Sequence, residues 1–282
     1  RLAALNGDIS GNIDEFGFPI GYGKNNQSVL IPAFISAYSG KSPESISLNA
    51  ISKTPLPSWS ISYNGLMNFD FIKESFKRFS LGHAYRSSYT LNNFKSNLEY
   101  NPDNTQLTDD SGNFINEFLF TNVNLVEQFN PLLKIDMELN NSLQIVMSLK
   151  KDRALSLSLD NNLLTESSGT DYSIGLGYRI KDLKFTNRVG GKRRVSKGDL
   201  NIKTDLNFRD NITIIRNLNI LDNKVTAGQK MWSLKTSADY NLSKSFNAIF
   251  FYDHLFSKFA ISTAFPMTTI RAGMTLRYSF GE

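Results

Sequence analysis

The sequence predicts an all-β protein whose antiparallel strands belong to a transmembrane β-barrel. Apolar and polar residues alternate over most of the chain after residue 57, and aromatic residues flank the apolar side of the alternating runs. Several runs reach about 9–11 residues, the length that a tilted strand needs to cross a bilayer, whereas strands of soluble proteins average about 5–6 residues. No stretch approaches the roughly 18 consecutive apolar residues of a membrane-spanning helix, so such a helix is excluded.

Of the first four alternating runs, the last three predict a β-meander. Residues 58–63 alternate serine with Trp59, Ile61 and Tyr63. Three further runs cover residues 134–140, 143–149 and 155–159. We expect polar turns between them, at residues 140–142 and at the charged residues 150–153, because short polar segments between alternating runs are typical of hairpins.

Four longer runs follow, at residues 172–180, 200–209, 232–242 and 270–280. The last one ends with aromatic residues, as expected for the final strand of an outer-membrane barrel. A helix is expected at most at residues 73–79. A membrane barrel is favoured over a soluble sandwich by the strand length and by the position of the aromatic residues.

Aromatic residues at both ends of the apolar runs predict two girdles. At about 3.3 Å per residue and a tilt of about 40°, Trp232 and Tyr240 would lie about 20 Å apart along the membrane normal, close to the roughly 25 Å height of the apolar band. The candidate girdle residues are Trp59, Tyr63, Tyr172, Tyr178, Trp232, Tyr240, Tyr278 and Phe280.

The polar residues of the same runs predict a hydrated lumen. They combine charges of both signs with serine, glycine and asparagine, which suits a lining that a polar protein surface can pass. The candidate lumen-facing residues are Arg179, Lys203, Asp205, Arg209, Lys235, Asp239, Arg271 and Arg277.

Residues 1–57 differ from the rest of the chain because they are rich in glycine, serine, asparagine and proline. We expect a loop region with one or two strands, of which residues 29–38 are the clearest, followed by transmembrane strands over residues 58–282. The chain begins with Arg1 and has no apolar leader. We therefore expect a mature or cut product that carries the C-terminal strands of a larger barrel.

The residue types give little support for catalysis or cofactor binding, and we do not expect an enzyme. The absence of cysteine excludes disulfides, thiol nucleophiles and cysteine-ligated zinc. His83 and His254 stand among alternating aromatic residues and are too few for a zinc site. An acidic loop near Asp109 leaves calcium binding open. The basic residues 190–198 are interpreted as a solvated turn, and no nucleic-acid partner is expected.

Three stretches carry a resemblance to a known family: LIPAFISAY at residues 30–38, PLPSWSISY at 55–63 and TTIRAGMTLRY at 268–278. They resemble the C-terminal region of the SprA (Sov) family, the outer-membrane translocons of the type 9 secretion system. The resemblance implies a very large single-chain barrel in the bacterial outer membrane that exports folded proteins, including the surface adhesins of gliding motility. It brings no catalytic residues.

The resemblance also implies a set of partners. They are the remainder of the same barrel polypeptide, a PorV-type small barrel, a periplasmic plug protein, secreted cargo with a C-terminal sorting domain, and membrane lipid. Two other interpretations of the sequence stay open. One is a smaller, self-closed outer-membrane barrel for solute diffusion or uptake, and the other is a soluble β-sandwich binding module.

Overall fold

The computed structural model describes residues 2–5, 12–51, 56–189, 192–241, 246–261 and 265–280. Residues 1, 6–11 and 52–55 of the predicted loop region lie outside this part, as do residues 190–191 of the basic cluster, residue 242 of the third long run and residues 281–282 at the end. The described residues form mostly antiparallel β-sheet, which confirms the all-β prediction.

Nine of the strands form one antiparallel sheet, in the order β1-β2-β5-β6-β7-β8-β9-β10-β11, and β3 pairs with β4 separately. Within the described residues, β1 pairs only with β2, and β11 pairs only with β10, so these two strands are the edges of the sheet. The strands are β1 (Trp59–Tyr63), β2 (Phe76–Asn92), β3 (Lys95–Ser96), β4 (Phe118–Leu119), β5 (Asn122–Leu139), β6 (Leu143–Ser158), β7 (Leu163–Val189), β8 (Lys192–Asn217), β9 (Asp222–Asn241), β10 (Phe246–Phe259) and β11 (Met267–Tyr278).

The helices are α1 (Leu2–Leu5), α2 (Gln27–Ser39) and α3 (Asp70–Ser75), with a short 3-10 helix at Gly65–Asn68. The predicted strand at residues 29–38 is therefore wrong, because these residues lie in α2. Asn26 caps this helix by accepting a hydrogen bond from the Ser28 amide, and Gly40 ends it with a positive φ of 67°. The short helix expected at residues 73–79 lies earlier, because α3 ends at Ser75 and β2 begins at Phe76.

The predicted turn at residues 150–153 is also wrong, because β6 runs through it without a break. Its charged residues have polar partners on both neighbouring strands: Arg153 forms an ion pair with Glu127 of β5 at 2.5 Å, and Lys151 lies opposite Thr170 of β7. Charge here marks a polar section of a long strand. The predicted turn at residues 140–142 is present, and Ser142 has a positive φ of 69°.

The buried core lies where α2 packs on one end of the sheet. Ile31 and Phe34 of the helix contact a cluster that includes Val123 of β5 and Leu155 and Leu157 of β6, and these side chains are almost fully buried. Ile31, Phe34, Ile35 and Tyr38 recur at helical spacing, which gives α2 one apolar face toward the sheet. The rest of the sheet lacks such a cover among the described residues.

Candidate functional site

The cross-strand register sorts the strand residues into two faces, since directly paired residues of antiparallel strands lie on the same face of a sheet. Ile174 of β7 pairs with Met147 of β6 and with Leu206 of β8. Leu206 pairs with Leu234, which pairs in turn with His254. We call the face that carries Ile174 and its register partners the apolar face. The polar face is the one that carries Lys203, whose partners are Gly177 and Ser237.

The apolar face is uncovered over most of the sheet. Ile174 is 41% exposed, Leu206 is 43% exposed and Ile270 is 58% exposed, although all three are large apolar residues in the interior of strands. Soluble monomers rarely leave contiguous apolar patches larger than a few hundred Å² in water. This surface therefore requires an apolar environment or a partner. No helix of the described residues is long and apolar enough to span a membrane.

An aromatic row crosses the apolar face near one end of its apolar section. Register places Tyr172, Phe208, Trp232 and Phe256 side by side on four adjacent strands. The ring centroids of Tyr172 and Phe208 are 6.1 Å apart, and those of Trp232 and Phe256 are 6.2 Å apart. Tyr172 and Trp232 are predicted girdle residues, whereas Phe208 and Phe256 are not, because only the strand register shows that they complete the row.

Most of the other candidate girdle residues also lie on the apolar face and are exposed. Tyr240 differs because it is buried, and Phe280 has no register partner. Trp59 and Tyr63 lie on it through their pairing with Tyr85 and Leu81, and Tyr178 and Tyr278 lie on it toward the opposite end. Phe280 follows the end of β11, and its ring centroid is 4.8 Å from that of Tyr278.

Tyr240 is the exception because it is buried. Its hydroxyl donates a hydrogen bond to the Leu183 carbonyl oxygen at 3.0 Å. The ring reaches across Gly198 of the intervening strand β8, where an added Cβ would lie 1.7 Å from the Asn241 carbonyl oxygen and 3.3 Å from the Tyr240 ring. Glycine is therefore required at this position. Tyr240 anchors the root of the extended β7–β8 hairpin, whose pairing continues beyond it from Leu183 to Val189.

A charged row bounds the apolar section two residues beyond the aromatic row, at the next position on the same face. It contains Lys151 of β6, Asp210 of β8, Lys230 of β9 and Lys258 of β10. Lys230 forms an ion pair with Asp210 at 3.0 Å. Beyond this row, the same face continues into the core that α2 covers.

The apolar section shifts along the strands from one side of the sheet to the other. In β1, β2 and β5 it begins at Trp59, Tyr85 and Phe129, which lie in the register row that is charged from β6 onward. In β11 it begins near Ile270 and continues to Tyr278, two register rows beyond the last apolar row of β5. Rows on one face are two residues apart, so the shift is four residues over the six strand spacings from β5 to β11. At about 3.3 Å per residue and about 4.8 Å per strand, it corresponds to a slope of about 25° relative to the direction perpendicular to the strands.

All eight candidate lumen-facing residues lie on the polar face. One register row of this face alternates in sign across four strands: Asp205, Lys235, Asp253 and Arg271. Arg271 and Asp253 form an ion pair at 3.0 Å, and Arg209 lies 3.4 Å from Asp171 on the same face. Opposite charges therefore alternate along this row, so their fields partly cancel there.

Arg179 marks the end of the polar face next to the β7–β8 hairpin extension. Its guanidinium forms an ion pair with Asp199, and the Asp199 carboxylate also accepts a hydrogen bond from the Asp182 amide. Both contacts favour the ionised carboxylate, the arginine most strongly, and hold the pKa of Asp199 below its usual value. Asp182 has a positive φ of 52° and lies where the register shifts, so Asp199 fastens an irregular point of the hairpin.

The acidic and histidine side chains of the described residues form no metal-binding cluster. No group of three or more histidine, aspartate or glutamate side chains among them is arranged to hold a metal ion. In the acidic loop, the Asp109 carboxylate accepts hydrogen bonds from the Ser111 and Asn113 amides, both at 2.9 Å. His83 contacts the Leu132 carbonyl oxygen at 2.6 Å, and His254 contacts the Tyr252 hydroxyl at 3.3 Å.

Comparison with known proteins assigns no family to the chain. No protein-family model matches it, and no curated protein matches it significantly. Function is therefore inferred from the two faces of the sheet and their boundaries, and the resemblance to SprA stays an expectation from the sequence.

Proposed function

We propose that this chain is a section of the wall of an outer-membrane, protein-conducting β-barrel. Its apolar face contacts lipid, and its polar face lines a hydrated lumen. The observation that carries the proposal is the uncovered apolar face, which is bounded by aromatic and charged rows and lies two register rows farther along the strands in β11 than in β5. Because the strands of a barrel tilt by about 35–45°, a level bilayer crosses successive strands at successively shifted positions. The slope of about 25° has this character, although it is shallower.

A self-contained soluble sandwich fits these observations poorly. In a sandwich, a second sheet covers the apolar face, and the two inner faces interdigitate. The described residues provide such a cover only at the end where α2 packs against Val123, Leu155 and Leu157. The strands of 12 to 27 residues from β5 onward also exceed what a sandwich of ordinary strands uses.

A larger barrel is favoured over a small self-closed one. Bacterial single-chain barrels have an even number of strands, whereas the described sheet has nine strands and two unpaired edges. An unpaired strand edge in a bilayer would leave backbone groups without partners, so β1 and β11 require further strands. We propose that the remainder of the same polypeptide supplies them.

The polar face supports the export of proteins, as the resemblance to SprA implies. Its alternating row from Asp205 to Arg271 presents paired charges rather than one sign, so it would hold neither acidic nor basic surfaces strongly. The proposed partners are a PorV-type small barrel, a periplasmic plug protein and folded cargo with a C-terminal sorting domain. The proposed location is the bacterial outer membrane.

The size of the native particle tests whether the chain belongs to a larger barrel. We would extract outer membranes with mild detergent and identify the particle that contains this sequence. A particle far above the 31.8 kDa of the chain, containing further strands of one polypeptide, agrees with the proposal. A particle close to that mass would indicate a self-closed barrel, and recovery without detergent would contradict the membrane location.

Conjugation within the proposed lumen tests protein conduction. We would introduce Lys203→Cys into the full polypeptide, after removal of any other reactive cysteine, and attach a maleimide-linked polyethylene glycol chain of about 5 kDa. Export of a folded reporter with a C-terminal sorting domain should slow strongly. Ser111→Cys, in the exposed loop before β4, is the matched control and should accept the same polymer without effect. Unchanged export after conjugation at residue 203 would contradict a conducting lumen.

A further inference from the structure

Two lysines lie directly opposite each other at the charged boundary of the apolar face. Lys230 of β9 and Lys258 of β10 are register partners, and both point to the same face because directly paired residues share a face. Both side chains are exposed, and Lys230 keeps 64% of its side-chain surface accessible. They lie two residues beyond Trp232 and Phe256 along their strands, where the apolar surface ends.

The charge at this position is only partly neutralised within the protein. Like charges directly opposite each other destabilise a sheet, unless a counter-charge is present. Asp210 supplies one, at 3.0 Å from Lys230. Lys258 has no ion pair among the described residues, so the pair retains one excess positive charge. Lys151, farther along the same row, adds a second cation without an ion pair in that part of the chain.

Two aromatic side chains, Trp232 and Phe256, lie beside the lysines on the same face. The rings of Trp232 and Phe256 are stacked, with an angle of 24° between their planes. Tryptophan is amphipathic and prefers the depth of the lipid headgroups, where its ring contacts the upper acyl chains. A lysine two residues farther along the strand, away from the apolar section, is therefore placed at the level of the headgroup phosphate.

We propose that Lys230 and Lys258 bind the phosphate of an anionic lipid headgroup while Trp232 and Phe256 contact its acyl chains. The inference rests on the proposed function, because it requires the apolar face to lie in the membrane. The phosphate supplies the counter-charge that the opposed lysines lack. The lipid is favoured over free phosphate because the lysines border an apolar surface on which acyl chains can lie.

Site-specific photo-crosslinking tests the proposal in the full polypeptide. The benzophenone amino acid p-benzoyl-phenylalanine replaces Phe256, and the protein is reconstituted into vesicles of phosphatidylcholine with one fifth phosphatidylglycerol. The ratio of crosslinked phosphatidylglycerol to crosslinked phosphatidylcholine is then measured by mass spectrometry. We expect this ratio to exceed the ratio of the two lipids in the vesicle, an enrichment of about fivefold for each lysine that contacts the headgroup.

The variants separate a specific site from a general charge effect. Lys230→Gln combined with Lys258→Gln should abolish the enrichment while leaving crosslinking to phosphatidylcholine intact, which also shows that the protein has folded. Lys203→Gln combined with Lys235→Gln removes the same charge from the polar face and should preserve the enrichment. Asp210→Asn frees Lys230 from its ion pair and should increase it.

Three outcomes overturn the proposal, and they are distinguishable. Equal enrichment in the parent and in the Lys230→Gln, Lys258→Gln variant refutes the lipid site but leaves the membrane location intact. No crosslink to either lipid refutes the membrane location itself, and the lipid site with it. Competition by 50 mM inorganic phosphate with unchanged phosphatidylcholine crosslinking would show that the lysines bind free phosphate instead of a lipid.

Discussion

The substitution Leu176→Arg tests the environment of the apolar face at its deepest point. Leu176 lies in β7 between Tyr172 and Ile180, four residues from each limit of the apolar section, and it is 42% exposed. Four residues at about 3.3 Å each, tilted by about 40°, place it about 10 Å from either limit. In a bilayer, the arginine would therefore lie near the midplane, too deep for its guanidinium to leave the apolar band at no cost.

The expected loss of stability follows from that depth. Arginine at the midplane of an outer-membrane barrel costs about 2–4 kcal/mol, whereas a surface substitution in water usually costs no more than about 0.5 kcal/mol. Asn207→Arg adds the same side chain to the polar face of the adjacent strand β8 and is the matched control. The assay is guanidinium unfolding of the full polypeptide in phosphatidylcholine vesicles, with the free energy taken from the midpoint and slope. Equal costs for the two variants would refute the assignment of the faces.

Three further predictions concern regions outside the apolar section. Leu155→Ala should cost about 2–5 kcal/mol by leaving a cavity under α2, and hydrogen exchange of residues 27–39 should accelerate; unchanged exchange would contradict the packing. Tyr240→Phe should cost about 0.5–1.5 kcal/mol and speed exchange in the β7–β8 hairpin extension, because the bond to Leu183 is lost; equal exchange would show that the bond does not hold the hairpin. Burial raises the pKa of Tyr89 from 10.0 to about 12, so its stabilising contribution is complete below pH 10 and is lost as the pH rises through about 12. Alkaline titration monitored by near-ultraviolet circular dichroism should show this transition, which Tyr89→Phe should remove.

The period-two alternation predicted the sheet and the residues of each face. Lys203 and Leu206 lie on opposite faces, as their spacing requires, because side chains alternate strictly along a regular strand. The neighbours of each residue could not be predicted in this way. The aromatic row that includes Phe208 and Phe256 depends on the register of four strands, which alternation within single strands does not determine.

Residues 29–38 show why a short apolar run is ambiguous. Their apolar residues are dense enough to contain both the alternation of a strand and the helical spacing of Ile31, Phe34, Ile35 and Tyr38. The cap at Asn26 was the local signal for a helix, since asparagine favours the N-cap position. Packing against the sheet buries the helical face.

The charged residues 150–153 show a second limit. Consecutive charges suggested a turn because turns are usually polar, yet these residues continue β6. Arg153 is stabilised there by Glu127, which lies opposite it on β5. A pairing of residues so far apart in the chain becomes visible only in the folded sheet.

A spin-label scan of β7 tests the central claim most directly, namely that lipid covers the apolar face. Labels would be placed singly at residues 172–179 of the full polypeptide in native outer-membrane vesicles, and their collision rates with oxygen and with a water-soluble nickel chelate would be measured. The even-numbered positions, which include Ile174 and Leu176, should collide often with oxygen and rarely with nickel. The odd-numbered positions should show the reverse. Even-numbered positions open to nickel, or closed to both reagents, would contradict lipid contact and favour water or protein as the cover of this face.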